Sequence, residues 1–234
     1  MRIFPPTVET AWNSEIETWK HRTKDTHRKN KLHPRFVIEE TAKRLDPAAF
    51  VVTDVGQHQI WTAQYYPFVR PRSFLTSGGL GTMGFGMGAA EGAAAANPDK
   101  AVVLFTGDGC FRMNCAEMAT MVYYGFPVLI ILFNNGVLGM VRQWQCFFND
   151  GRYSQTSLAG RGPDFVKLCA AYGVPAFRAG NEAEFLAALE QSLEWTAKKM
   201  PALIEVSIDK DERVLPMVPG GKPIDEQLFG PSPP

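Results

Sequence analysis

Two short runs of apolar, largely β-branched residues, Ala101-Val-Val-Leu-Phe-Thr106 and Val128-Leu-Ile-Ile-Leu-Phe133, each end on polar groups: Gly107-Asp108-Gly109 after the first, Asn134-Asn135 after the second. Runs of this length and composition read as strands, so the polar groups fall at strand carboxyl ends. That edge of a parallel sheet is where ligands bind. An Asp carboxylate and an Asn carbonyl delivered from adjacent strand ends are hard oxygen ligands, and they leave coordination positions for phosphate oxygens and water, as Mg²⁺ prefers. Glycine beside the carboxylate lets backbone approach a phosphate closely. The pair therefore reads as a magnesium and diphosphate clamp.

Around this clamp the chain alternates helix and strand. A helix is predicted near Val37 to Leu45, a strand at Phe50 to Thr53, a Gly/Ala-rich helix around Gly84 to Ala96, helices at Asp164 to Tyr172 and Glu182 to Lys198, and a last strand at Ala202 to Ile208. Asn114 and Glu117 are spaced as a cap pair for a helix running to Tyr124, with Gly125 as its stop. The expected fold is α/β and doubly wound, a mostly parallel sheet with helices on both faces. Trp12, Ile16 and Trp19 stand at helical spacing ahead of it, and the Gly/Pro-rich stretch after Val214 reads as an extended tail.

With 234 residues and 45% apolar content, one large domain is the reading. Lys+Arg and Asp+Glu balance at 24 each, which suggests neither a nucleic-acid partner nor an acidic membrane. The local basic run of Lys20, Arg22, Lys24, Arg28, Lys29 and Lys31 is broken by Asp25 and carries no interleaved aromatics, as a solvated linker would. Cys110, Cys115, Cys146 and Cys169 lack C-x-x-C spacing, so reduced thiols are expected rather than zinc ligands or a disulfide framework. No apolar run has the length of a membrane span and no secretory h-region opens the chain; a cytoplasmic location is expected, or an organellar one if a presequence has been removed.

Gly79-Leu-Gly81-Thr-Met-Gly84 satisfies the G-x-G-x-x-G pattern of dinucleotide-binding turns. The preceding Ser73-Phe-Leu-Thr is a poor strand, however, and Asp108, near the distance for a ribose-binding acid, sits between glycines and fits the metal reading better. The Gly107-Asp108-Gly109 and Asn134-Asn135 pairing resembles the GDG…NN motif of thiamine-diphosphate enzymes. That resemblance implies Mg²⁺ held by Asp108, Asn135 and the main-chain carbonyl of Val137, with Gly107 and Gly109 beside the diphosphate. It also implies that the glycine cluster, Gly81 included, runs beneath the cofactor. There Met83 props the cofactor in a bent shape; the bare sequence reads it equally as core.

Asp54-Val-Gly56-Gln57-His58-Gln59-Ile-Trp61 follows the Val51 strand and resembles a segment of acetolactate synthases in which the Gln-His side chains donate to phosphate oxygens. Gln57 and His58 inherit that role by position, His58 from a loop. Gly139-Met140-Val-Arg-Gln143-Trp144 narrows the likeness to the acetolactate synthase catalytic subunit, and Gly151-Arg-Tyr-Ser154, Pro163 to Leu168, Ala171-Tyr-Gly173 and Val214 to Gly221 extend it over nearly the whole chain from Phe36. The likeness places Met140 near the cofactor and Trp144 in the pocket for the second 2-oxo acid. Cys110 and Arg112 depart from the family pattern, which has a small hydroxyl or alanine residue and an uncharged polar one, so at Cys110 the resemblance implies backbone amides in place of a side-chain bond to the diphosphate. Met87-Gly88 replaces an apolar-Pro pair.

The resemblance implies carboligation of pyruvate with a second 2-oxo acid, pyruvate or 2-oxobutyrate, in branched-chain amino-acid biosynthesis. No catalytic acid is assigned here, because the family's activating glutamate belongs to a pyrimidine-binding domain and the FAD belongs largely to a middle domain. Residues 1–35 are then a linker and the tail of that middle domain, 36–210 the thiamine-diphosphate and Mg²⁺ domain, and 211–234 an extended tail. Such a chain is expected to be inactive alone and to work in a homo- or hetero-oligomer with a chain that carries those domains, with a possible regulatory small subunit. A related decarboxylase or oxidase, or a non-catalytic cofactor-binding subunit, are the alternatives.

Overall fold

Strand formation follows from the apolar runs, and their mutual pairing sets where the site falls. The computed structural model describes residues 14–16, 18, 31–160 and 162–230. Six strands pair, all in parallel, in the order β2-β1-β3-β4-β6-β5: β1 Phe50–Thr53, β2 Phe74–Leu75, β3 Val102–Gly107, β4 Val128–Asn134, β5 Ala176–Ala179 and β6 Ala202–Ser207. The chain moves outward from β1 to β2 and then returns to lay β3 on the other side of β1. The carboxyl ends of β1 and β3 therefore flank a reversal of winding, the crevice where open α/β sheets accept ligands.

Helices cover both faces, as the alternation predicts. Against one face lie α1 (Pro34–Arg44), α2 (Gln57–Tyr65) and α8 (Glu182–Ala197), whose Val37, Ile38, Trp61, Phe185 and Leu189 pack on Val103, Phe105, Ile131 and Ile204. Against the other lie α3 (Phe85–Ala96), α4 (Asp108–Asn114), α5 (Met118–Tyr124) and α7 (Phe165–Ala171), with Met87, Phe111, Met118 and Phe165 on Leu104, Ile130 and Leu132. Successive residues of β3 and β4 divide between the two clusters, so burial on both sides rather than alternation makes these strands uniformly apolar. Gly86 lets α3 sit low on the sheet: a Cβ there would stand 2.8 Å from Leu104 Cδ1. The remaining helix, α6 (Gly139–Phe148), follows β4 at the site edge.

Several boundaries correct the sequence reading. The helix after β3 starts at Asp108 itself, passes through a 3₁₀ turn at Cys115–Glu117 and resumes as α5. Asn114 and Glu117 form no cap pair; the Asn114 side chain donates instead to the Gly84 carbonyl at 2.7 Å. Gly125 does end α5 in the left-handed region, with φ 66°. Residues 57–65 are a helix rather than a loop, and β5 is an additional edge strand. Asp164 and Asn181 cap α7 and α8 by accepting from Lys167 N and Glu184 N.

The chain divides into two compact units, Lys29–Val214 and one formed by its two ends. Within the latter, Met217 and Leu228 exchange both backbone bonds, so the tail is not extended throughout. Trp12 and Trp19 of the expected amphipathic helix, and the basic run from Lys20 to Lys29, lie outside the described residues. Among the described residues no helix is long and apolar enough to cross a membrane.

Candidate functional site

At the end of β1, Asp54 is fully buried and its carboxylate organises the glycine turn that precedes α3. Oδ1 accepts from Val55 N and Gly84 N, each at 2.9 Å, and Oδ2 accepts from Gly86 N at 3.2 Å. Gly84 adopts φ 88°, a left-handed conformation that suits glycine, and Asn114 holds its carbonyl from the far side. The turn carrying Met83 is thus tied to the strand end by a charge-assisted set of bonds.

α2 begins three residues after Asp54 and places His58 in its first turn. Burial pushes the imidazole down to about 4, against the opposing charge and backbone bond of Asp54, so the ring is neutral near pH 7. His58 Nε2 is buried without a hydrogen-bond partner. A buried polar atom left in that state is costly and points to a ligand that completes it. The ring fits because Gly107 lacks a side chain: a Cβ there would lie 3.1 Å from His58 Cε1 and Nδ1.

Asp108 is the first residue of α4, its carboxylate 5% exposed. Burial raises it to about 6, countered by backbone N–H groups of Gly109 at 3.0 Å and Gly136 at 3.1 Å and by the charge of Arg112. A divalent cation would relieve that cost. Cys110 donates its thiol proton to the Val55 carbonyl at 3.0 Å, and burial pushes it far above the usual thiol range, so it is an inert wall residue.

At the end of β4 the two asparagines separate. Asn134 ties into the sheet through Glu205 Oε1 at 2.7 Å. Asn135 accepts at Oδ1 from Val137 N at 3.1 Å, and its Nδ2 lies 3.5 Å from Gln57 Oε1. Leu138 N donates to Thr156 O and Leu158 N to Gly136 O, around a Val137–Ser157 bridge. In that antiparallel pattern the Val137 carbonyl is turned away from Ser157.

Gln57, His58, Met83, Gly107, Asp108, Gly109, Cys110, Asn135, Val137 and Met140 line one cavity, with Trp61, Leu138 and Ile208 completing its apolar wall. Gly81 and Trp144 do not join them. Gly81 lies in the turn beyond, at φ 63°, with its N–H on Ser77 O, while Trp144 is 42% exposed on α6 against Phe148. Gln57 also differs from its expected role: both protons of its Nε2 are committed, to Gln143 Oε1 and Glu212 O, so its oxygen rather than its NH₂ is turned to the site. Sequence reasoning passed over Asp54, Gly139 and Gln143. An acid one residue past a strand end was a usable signal for Asp54. Among the described residues no group of three or more His, Cys, Asp or Glu is placed to hold a metal; the candidate set, one carboxylate, one amide oxygen and one main-chain carbonyl, is of a different kind.

Residues 54–206 match the family model described as thiamine pyrophosphate enzyme, C-terminal TPP binding domain. That match covers more than half of the chain, and the chain belongs to this family, as a TPP-binding domain with the parallel, two-sided sheet found above. Within it the chain stands with the acetolactate synthase large or catalytic subunits. It is 47% identical over 193 residues to the acetolactate synthase large subunit of Corynebacterium glutamicum, covering 81% of this chain and 30% of that protein. Identity is 42% over 218 residues to the Escherichia coli isozyme 3 large subunit, covering 92% and 38%. It is 40% over 232 residues to the mitochondrial catalytic subunit of Saccharomyces cerevisiae, covering 96% and 33%. The chain spans about a third of the length of these relatives.

Proposed function

We propose that this chain supplies the diphosphate and cation end of a thiamine-diphosphate site in an acetolactate synthase, with residues 36–210 as the cofactor domain, 1–35 as a linker and middle-domain tail, and 211–234 as a tail. The observation that carries the reading is the single cavity in which Asp108, Asn135 and Val137 meet His58, whose Nε2 is buried and unpartnered. Asp108, Asn135 and the Val137 carbonyl hold Mg²⁺. The backbone of the first turn of α4, beside Gly107 and Gly109, faces the diphosphate, with His58 as its side-chain contact, Nε2 donating once the anion draws a second proton onto the ring. Met83 and Met140 form apolar walls, and Gly81 and Trp144 serve the outer part of the site.

Thiamine diphosphate, when bound, supplies the carbanion chemistry that joins pyruvate to pyruvate or 2-oxobutyrate. This chain's own residues bind, orient and exclude water; the activating glutamate and the FAD come from domains outside it. We assign it to an oligomer with a chain that carries those domains, open to a regulatory small subunit, in the cytoplasm or an organelle, and expect it to be inactive alone. Calorimetric titration with thiamine diphosphate, with and without MgCl₂, tests the cofactor role: binding that ignores MgCl₂ would remove it. Acetolactate formation by the purified chain without a partner would remove the proposed division of labour.

A further inference from the structure

A line of three amide side chains runs from the backbone of residue 214 to the candidate cation ligand, and its polarity leaves one orientation for each. Val214 donates its N–H to Gln143 Oε1 and accepts at its carbonyl from Gln143 Nε2, both at 2.9 Å. A peptide that offers one donor and one acceptor to the same amide excludes the flipped form. Gln143 is 3% exposed, and its Oε1 also accepts from Gln57 Nε2 at 2.9 Å, while the second proton of that Nε2 goes to Glu212 O at 2.8 Å. Gln57 is thereby forced to turn its oxygen toward Asn135 Nδ2. With its NH₂ on that side, Asn135 carries Oδ1 on the other, where Val137 N also donates to it at 3.1 Å.

Gly139 makes room for this meeting. A Cβ on it would stand 2.1 Å from Gln57 Oε1 and 2.7 Å from Asn135 Nδ2, closer than real atoms approach. Its backbone is not in the left-handed region, so crowding rather than conformation requires glycine.

We propose that Gln143 is a positioning residue of the candidate cation site: seated beside the space left by Gly139, it holds the Gln57 amide so that Asn135 offers its carbonyl oxygen, not its NH₂, as a ligand. This rests on the cofactor reading above. The chemistry demands it, because Mg²⁺ binds oxygen donors and a flipped amide would present protons to a cation. Neither Gln143 nor Gly139 touches the cation in this scheme; Gln143 acts through Gln57, and Gly139 leaves the space in which Gln57 and Asn135 meet.

The test compares the wild-type chain with Gly139→Ala, Gln143→Leu and Gln143→Glu by titrating MgCl₂ at fixed thiamine diphosphate, read from quenching of Trp61, which lines the cavity. Alanine at the start of α6 favours the helix, but its Cβ overpacks the Gln57 and Asn135 amides, so Gly139→Ala is compared only after urea unfolding shows a folded chain. The half-saturating MgCl₂ concentration is expected to rise about tenfold or more in Gly139→Ala and Gln143→Leu. Thiamine diphosphate affinity at saturating MgCl₂ should change less than about threefold in the same variants, a split that general loosening does not produce. Gln143→Glu keeps the acceptor for Gln57 but loses the proton given to the Val214 carbonyl, so its half-saturating MgCl₂ concentration should rise, though less than that of Gln143→Leu. A folded Gly139→Ala chain with wild-type MgCl₂ dependence, or one weakened equally in both titrations, overturns the positioning role. Wild-type binding of thiamine diphosphate that is indifferent to MgCl₂ overturns the cofactor reading and this role with it.

Discussion

The inner wall of the cavity and its outer rim are built on different terms. On the inner wall Gln57, His58 and Asp108 are no more than 6% exposed, with the fully buried Asp54 behind them, and strand ends, helix starts and backbone N–H groups fix their positions. On the rim Val141 is 49% exposed, and beyond the cavity lining Leu80 of the glycine turn is 95% and Trp144 of α6 42% exposed. A site for a charged group needs dipoles oriented before it arrives. The inner wall meets that demand from within the chain, whereas the rim presents apolar surface of the sort a second protein surface covers, in keeping with the proposed partner domain.

The largest effect that separates the two regions is expected at Asp108. Asp108→Ala should weaken MgCl₂-dependent thiamine diphosphate binding by more than about 100-fold, while Trp144→Ala changes it less than about threefold, as calorimetry on both variants would measure. Comparable losses would erase the distinction. Next comes Asp54→Ala, which strands three backbone N–H groups, one at the N-cap of α3 and one in its first turn. A loss of about 3 kcal/mol in urea unfolding is expected.

A subtler asymmetry lies within the inner wall and is visible in EDTA. Asp108 is raised from 3.8 to about 6, so its contribution to stability is full below the unfolded value and is lost as pH rises through 6. His58 is lowered from 6.5 to about 4, so its contribution is present above 6.5 and is lost as pH falls through 4. Over pH 4 to 6 the two oppose each other, each by up to roughly 3 kcal/mol, and the unfolding midpoint of the wild type should be nearly flat. Asp108→Asn should unmask a loss on acidification and His58→Gln a gain; parallel slopes in the two variants would contradict the burial argument. The smallest effect belongs to the rim, where Leu80→Ser should shift unfolding by less than about 0.5 kcal/mol.

Much of this was legible without coordinates. β1, β3, β4 and β6 announce themselves as apolar runs because each is buried on both faces, and α8 through Phe185 and Leu189 at helical spacing. β5, an edge strand of four residues with Arg178 exposed, lacks that signal. α2 went unread because its stretch, Gln57 to Tyr65, opens with three polar residues and its burial follows the cavity rather than one apolar stripe. Asn114 had the spacing of a cap and was drawn to Gly84 by a contact thirty positions away. In the site, residue type and strand-end position marked Asp108 and Asn135, and the family likeness supplied most of the others; Gly139 and Gln143 stood in the run that carries the likeness but received no role, because their roles depend on neighbours remote in sequence.

The sequence by itself determined the layered α/β architecture and the strand ends at which polar groups would stand, since apolar periodicity and glycine placement are local properties that survive in one dimension. Only the tertiary structure decided which way those groups face. Orientation of an amide is set by the donors and acceptors around it: for Gln57 these arrive from α6 and residue 212, far along the chain, and for Asn135 from Gln57 on α2 together with its neighbour Val137.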